Sequence, residues 1–104
     1  MTISVASIGN TIANVYVSSG NTCVTWLSIN NVNSATVTAN VHVVPSGSSA
    51  SATNQILTNL AITGNDTYQI YAGAEKLLLS NGDSIQAVAN ITSSLNAVVS
   101  HTTI

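Results

Sequence analysis

Apolar and polar residues alternate with a period of two along much of this chain, most cleanly from Ala35 to Val43. There Ala35, Val37, Ala39, Val41 and Val43 share one side, while Thr36, Thr38, Asn40 and His42 share the other. A pleated strand turns successive side chains to opposite faces, so the stretch predicts a strand with one face in a core and one face polar. Upstream, Cys23, Thr25, Leu27 and Ile29 alternate with Val24, Trp26 and Ser28. Both sets hold apolar residues, which predicts a strand covered on both sides. The Asn-rich link 30–34 between the two runs reads as a hairpin loop, making them antiparallel neighbours.

The remaining segments are shorter. A strand over Thr2 to Ile8, a turn at Gly9-Asn10 and a strand over Thr11 to Val17 are expected before a second turn at Ser18 to Asn21. The first strand is weakly patterned and uncharged, so residues 1–8 are a candidate N-terminal arm that completes its pairing on another subunit. Residues 45–53 form a low-complexity loop expected to be flexible. Ile56, Leu57, Leu60 and Ile62 fit a helical turn as well as an irregular strand. After a turn at Gly64-Asn65-Asp66, a strand from Thr67 to Ala72 sets Tyr68, Ile70 and Ala72 against Gln69 and Tyr71. Leu77-Leu78-Leu79 and the alternating Ile85, Ala87, Ala89 and Ile91 flank Ser80-Asn81-Gly82-Asp83. Asn-Gly accepts positive φ at low cost, which predicts a tight hairpin there. A last strand, Leu95 to Ile104, places Leu95, Ala97, Val99 and His101 on one face. About seven or eight short strands with frequent turn signals describe an all-β protein, an antiparallel β-sandwich of Ig-like or jelly-roll-like kind. Its 104 residues make one domain with one core.

Charge changes this picture most. Asp66, Glu75, Lys76 and Asp83 are the four charged residues, 4% of the chain where about a quarter is ordinary. A surface with so little charge has little repulsion to keep copies apart, and association becomes the expected state. One basic residue cannot neutralise a run of phosphates, so neither nucleic acid nor an anionic membrane surface is an expected partner. No apolar run approaches the length of a membrane span, and the N-terminus carries no signal-peptide pattern. The hydrophobic content of 45% separates the chain from disordered sequences of low charge.

Candidate chemistry is sparse. The single cysteine, Cys23, excludes an internal disulfide and reads as a small buried apolar residue. Two Asn-x-Thr matches, at Asn65 and Asn90, are of the kind an Asn- and Thr-rich chain produces by chance. Many serines, His42, His101 and three carboxylates allow a triad on paper, but no Gly-x-Ser-x-Gly elbow supports one. His42 and His101 read as solvated or interface imidazoles, and Asp66 and Asp83 as turn residues that bond their own backbone. No catalytic, metal or cofactor residues are therefore expected. Glu75-Lys76 reads as a charged guard at the start of an apolar strand. Tyr16, Trp26, Tyr68 and Tyr71 serve as core or protein-interface anchors, or as a sugar-stacking platform should they share a face. With the uncharged first strand, they give the interface candidates Thr2, Ile3, Val5, Tyr16, Trp26 and Tyr71.

The run from Tyr71 through Leu77-Leu78-Leu79, Asn81-Gly82-Asp83 and Ser84-Ile85-Gln86, followed by a small-residue alternating strand, resembles a pattern among small virion structural proteins of tailed bacteriophages. The resemblance covers roughly residues 22–100 and rests on turns and strands. At its end the family pattern has an aromatic followed by an acidic residue, where this chain has His101-Thr102-Thr103-Ile104. It implies a non-enzymatic capsid decoration (cement) protein on the outer surface of a phage head. The implied partners are the major capsid protein or other virion subunits and further copies of the chain. A neck, baseplate or tail-fibre component, or a carbohydrate-binding module, is the alternative.

Overall fold

A computed structural model describes residues 2–70 and 76–104. Among these the chain forms nine strands: β1 (Thr2–Ile8), β2 (Ala13–Val17), β3 (Thr22–Asn31), β4 (Val37–Val44), β5 (Gln55–Ile62), β6 (Thr67–Ile70), β7 (Leu77–Leu79), β8 (Ser84–Ala89) and β9 (Leu95–Thr103). They make an antiparallel β-sandwich of two sheets, β1-β9-β3-β6 with β7 also on β3, and β2-β8-β4-β5. Between the sheets lies a core of Val24, Leu27, Ile29, Val37, Val41, Ile85, Leu95 and Val99, all close to fully buried. Burying a side chain of this size contributes about 1.5–3 kcal/mol, so this one apolar layer dominates the stability of a chain with almost no charge.

The strand order has a simple generator. Asn30 to Leu27 pairs with β6 and Val24 to Thr22 with β7, so β6 and β7 follow one another along the same side of β3. Counting them together, the pairs β4/β5, β3/β6-β7, β2/β8 and β1/β9 nest inside one another like one long hairpin whose tip is the 45–54 connection. Rolling that hairpin adds the contacts β9/β3 and β8/β4 and leaves successive arms in alternate sheets. This is the eight-stranded jelly-roll order, which selects that member of the expected pair over the Ig-like one.

Rolling also overturns two expected hairpins. β3 and β4 lie in different sheets, and so do β7 and β8. In the first case the corner is built on Asn31, completely buried at the end of β3. Its Nδ2 donates to the carbonyls of Ala35 and Ile62, each at 2.9 Å, and its Oδ1 accepts the Asn33 N–H. Satisfying backbone groups on both sides of the link lets the chain turn between sheets instead of back on itself. In the second case the turn forms as expected, with Asp83 N–H donating to the Ser80 carbonyl and Gly82 at φ +87°. Its exit, however, leads to β8 beside β2 and β4. The Asp83 carboxylate holds the corner by accepting the N–H of Ser80 at 2.9 Å and of Ser46 at 2.8 Å. Asp83→Ala should therefore lower stability by about 1–2 kcal/mol in urea denaturation, the usual worth of bonds to a charged acceptor in a partly exposed site.

Local irregularities adjust the expected phases. A bulge at Thr25 sets two residues of β3 against one of β9, so Val24 joins Leu27 and Ile29 in the core. The simple alternation had placed it opposite them. Cys23 is buried, as expected, and lies outside the core cluster opposite Thr102 and Leu78. Along β4 the expected core side holds for Val37, Ala39, Val41 and Val43. His42 lies on the other face, yet it is buried rather than solvated, because its Nδ1 lies 2.9 Å from both the Ser51 carbonyl and Asn54 Oδ1. Both partners accept, so Nδ1 carries the proton and ties down the 45–54 connection. That connection ends in one 3-10 turn, Ala52–Asn54, before β5, which is an irregular strand with two register shifts.

Candidate docking face

β1 pairs along its whole length, Thr2 to Ile8, with β9 of the same chain, so the expected arm is a regular edge strand. Inward residues of β1 (Ser4, Ala6, Ile8) alternate with outward ones, and the outward Ile3 and Val5 are 68% and 75% exposed. Register carries these positions across the sheet. Ile3 pairs with Ser100 and Ser100 with Trp26, while Val5 pairs with Val98, Val98 with Ser28 and Ser28 with Gln69. Beside the Trp26 row, Cys23 pairs with Thr102 on one side and with the exposed Leu78 on the other. Ile3, Val5, Val98, Trp26 and Leu78 thus share the outer face of the five-stranded sheet, with Ser, Thr, Gln and Cys as their partners in the described rows.

Among the described residues, none in those paired rows is charged. Asp66 and Asp83 sit in turns and Lys76 immediately precedes β7. An exposed apolar face without charge, ending at an unbulged edge strand, is an arrangement that soluble monomers ordinarily avoid. Both edges of the other sheet are less regular: β5 carries two register shifts and Asn59 at φ +49°, and β2 carries one shift. The combination can bury neutral surface without desolvating ions, and β1 offers backbone groups to an added strand.

The remaining expected interface residues go elsewhere. Thr2 is exposed but has the inward parity of β1, opposite His101. Tyr16 is a half-buried inward residue of β2, with its ring centroid 4.2 Å from that of His101 and its hydroxyl 3.3 Å from Nδ1. Ser4 Oγ lies 3.0 Å from His101 Nε2, so the imidazole links β1, β2 and β9 instead of standing in solvent. One ring nitrogen donates and the other accepts in the neutral form, and no carboxylate orients the ring among the described residues. Tyr68 is half-buried on β6 and packs against the core, so it does not join Trp26 in an aromatic platform. Tyr71 and Glu75 lie outside the described residues. Val98 and Leu78 were missed by sequence reasoning, since only register with Val5 and Cys23 brings them to this face. Comparisons with protein families, with curated proteins and with solved structures find no match to the chain.

Proposed function

We propose that the chain is a non-enzymatic virion structural protein, a capsid decoration (cement) protein that docks on the outer surface of a phage head and bridges neighbouring subunits. The observation that carries the docking is the apolar face running from Ile3 and Val5 to Trp26 and Leu78, with no charge in its described rows, beside the regular β1 edge. The virion setting comes from the resemblance of residues 22–100 to phage structural proteins. The occupant of the face is a neighbouring shell subunit, and in its absence the isolated chain covers the face with a second copy. Cohesion of this kind depends on apolar burial and backbone pairing, so salt should weaken it little. A cement protein is further marked by a copy number that scales with the capsid subunits, which separates it from a neck or tail part.

Light scattering on purified chain tests the docking face. The native sequence should self-associate at micromolar concentration with little change on adding salt. Ile3→Lys with Val5→Lys places two charges on the edge and removes two exposed apolar side chains worth about 1–2 kcal/mol each, which should weaken association about 100-fold or more. Both positions are exposed, so thermal stability should hardly move. A native chain that stays monomeric at about 1 mM and low salt sinks the reading.

A further inference from the structure

On the opposite side of the molecule, the outer face of the four-stranded sheet holds a groove of about 160 Å³ lined by Thr38, Asn40, Asn59, Val88 and Asn90. Two of its asparagines are held in one orientation. Asn40 Oδ1 accepts the Asn59 N–H at 2.6 Å, and Asn90 Oδ1 accepts the Thr38 N–H at 3.0 Å. A backbone N–H can only donate, so in each amide the oxygen is fixed to the protein and the NH2 group is fixed away from it. Neither Nδ2 has a partner among the described residues, and neither does the Thr38 hydroxyl or the Asn59 side chain. No buried side-chain nitrogen or oxygen of the described residues lacks a partner, so these unpaired groups are the solvent-open ones. Asn59 reaches the groove because β5 bulges there, with Asn59 at φ +49°. Bulges commonly re-aim a side chain beside a binding site.

We propose that this groove binds one neutral sugar unit. The two held amides present N–H donors at no orientational cost, Thr38 and Asn59 can both donate and accept, and Val88 supplies an apolar floor for a C–H face. Sugar hydroxyls both donate and accept, and they match that set. None of the lining residues is charged, which leaves a carboxylate or phosphate ligand without a counter-charge. The volume equals that of about five water molecules, enough for a single ring, so affinity per site is in the millimolar range. The site is separate from the apolar face of the other sheet and does not depend on the docking proposed there.

Saturation-transfer NMR tolerates oligomers and suits weak ligands. The probes are the methyl glycosides of glucose, galactose and mannose, methyl N-acetylglucosaminide, and the neutral dipeptide mimic N-acetylglycine N-methylamide. At least one sugar should give transfer at about 10 mM. Asn40→Asp and Asn90→Asp keep the acceptor oxygen that holds the backbone but replace the donor NH2, and each should weaken the sugar about tenfold or more, the loss expected for one well-placed hydrogen bond. Val88→Lys fills the groove without touching either bond and should do the same, while Trp26→Ala should change nothing. Transfer from no sugar, transfer from the dipeptide mimic alone, or sugar transfer that survives Val88→Lys and whichever Asp variants keep the native circular dichroism would overturn the proposal.

Discussion

Asn31→Ala is expected to destabilise the fold by about 3–4 kcal/mol, the largest effect of any single polar substitution in this chain. The Asn31 side chain is fully buried and makes three bonds, to the Ala35 and Ile62 carbonyls and from the Asn33 N–H. Alanine leaves two carbonyls and one N–H without that partner, and an unsatisfied buried group costs about 1–3 kcal/mol. Ile62 ends a strand of one sheet and Asn31 ends a strand of the other, so the amide also joins the two layers at the corner. Such a loss should lower the thermal midpoint of a domain this size by roughly 15 °C or more. The neighbouring Asn30 is the control. It is exposed and its Oδ1 accepts only the Thr67 hydroxyl, so Asn30→Ala should cost less than about 1 kcal/mol. Equal midpoints for the two variants in urea would refute the corner assignment.

Gly64→Ala should destabilise by about 2–4 kcal/mol, although it adds a single methyl group. The added Cβ would overlap the backbone carbonyl of Ser34, which no side-chain rotation can relieve. The same corner approaches from the other side, where Asn65 N–H donates to the Asn33 carbonyl at 3.0 Å. Relief therefore requires moving the 32–36 link that Asn31 holds, and the two sites should couple. A Gly64→Ala, Asn31→Ala double variant should lose less than the sum of the single losses, because residues sharing one backbone shift are not additive. At Gly9 an added Cβ meets nothing within 4 Å, so Gly9→Ala should be neutral or stabilise by up to about 1 kcal/mol. A Gly64→Ala protein as stable as Gly9→Ala would show that the close approach does not exist in solution.

How much of the candidate docking face could be read from the sequence follows the same division. Ile3 and Val5 were legible because an uncharged first strand exposes something apolar whichever way it faces. Trp26 was legible as an anchor, but its side depended on the bulge at Thr25, which no turn residue announces. Tyr16 looked equivalent to Trp26, and only the rolling of the sheets places it inward against His101. The asparagines of the 30–34 link were read as turn formers, Asn40 as a polar-face strand residue and Asn90 as a chance Asn-x-Thr match. Asn31 and Asn33, two apart, do carry the spacing of side chains that bond their own backbone. For Asn40 of β4, Asn59 of β5 and Asn90 just after β8, brought together in the groove, no local signal exists.

The sequence by itself determined most of the extended segments, with β5 left open, where the chain turns, which side of β4 and β9 enters the core, and that the surface is nearly free of charge. Those properties are local. Period-two alternation and residues that accept turn conformations act within a few positions of each other. Only the tertiary structure decided which sheet each strand joins. A five-residue link can close a hairpin or cross the roughly 10 Å between two packed sheets, and its own residues do not choose. The choice falls to distant partners: β9 takes the place beside β3 that β4 was expected to fill, and β8 pairs with β2 and β4 instead of with β7. In that arrangement both sheets bury their inner apolar faces against one another. The sequence therefore fixes the strands locally, while the shared core fixes their order and, with it, the neutral face and the amide-lined groove.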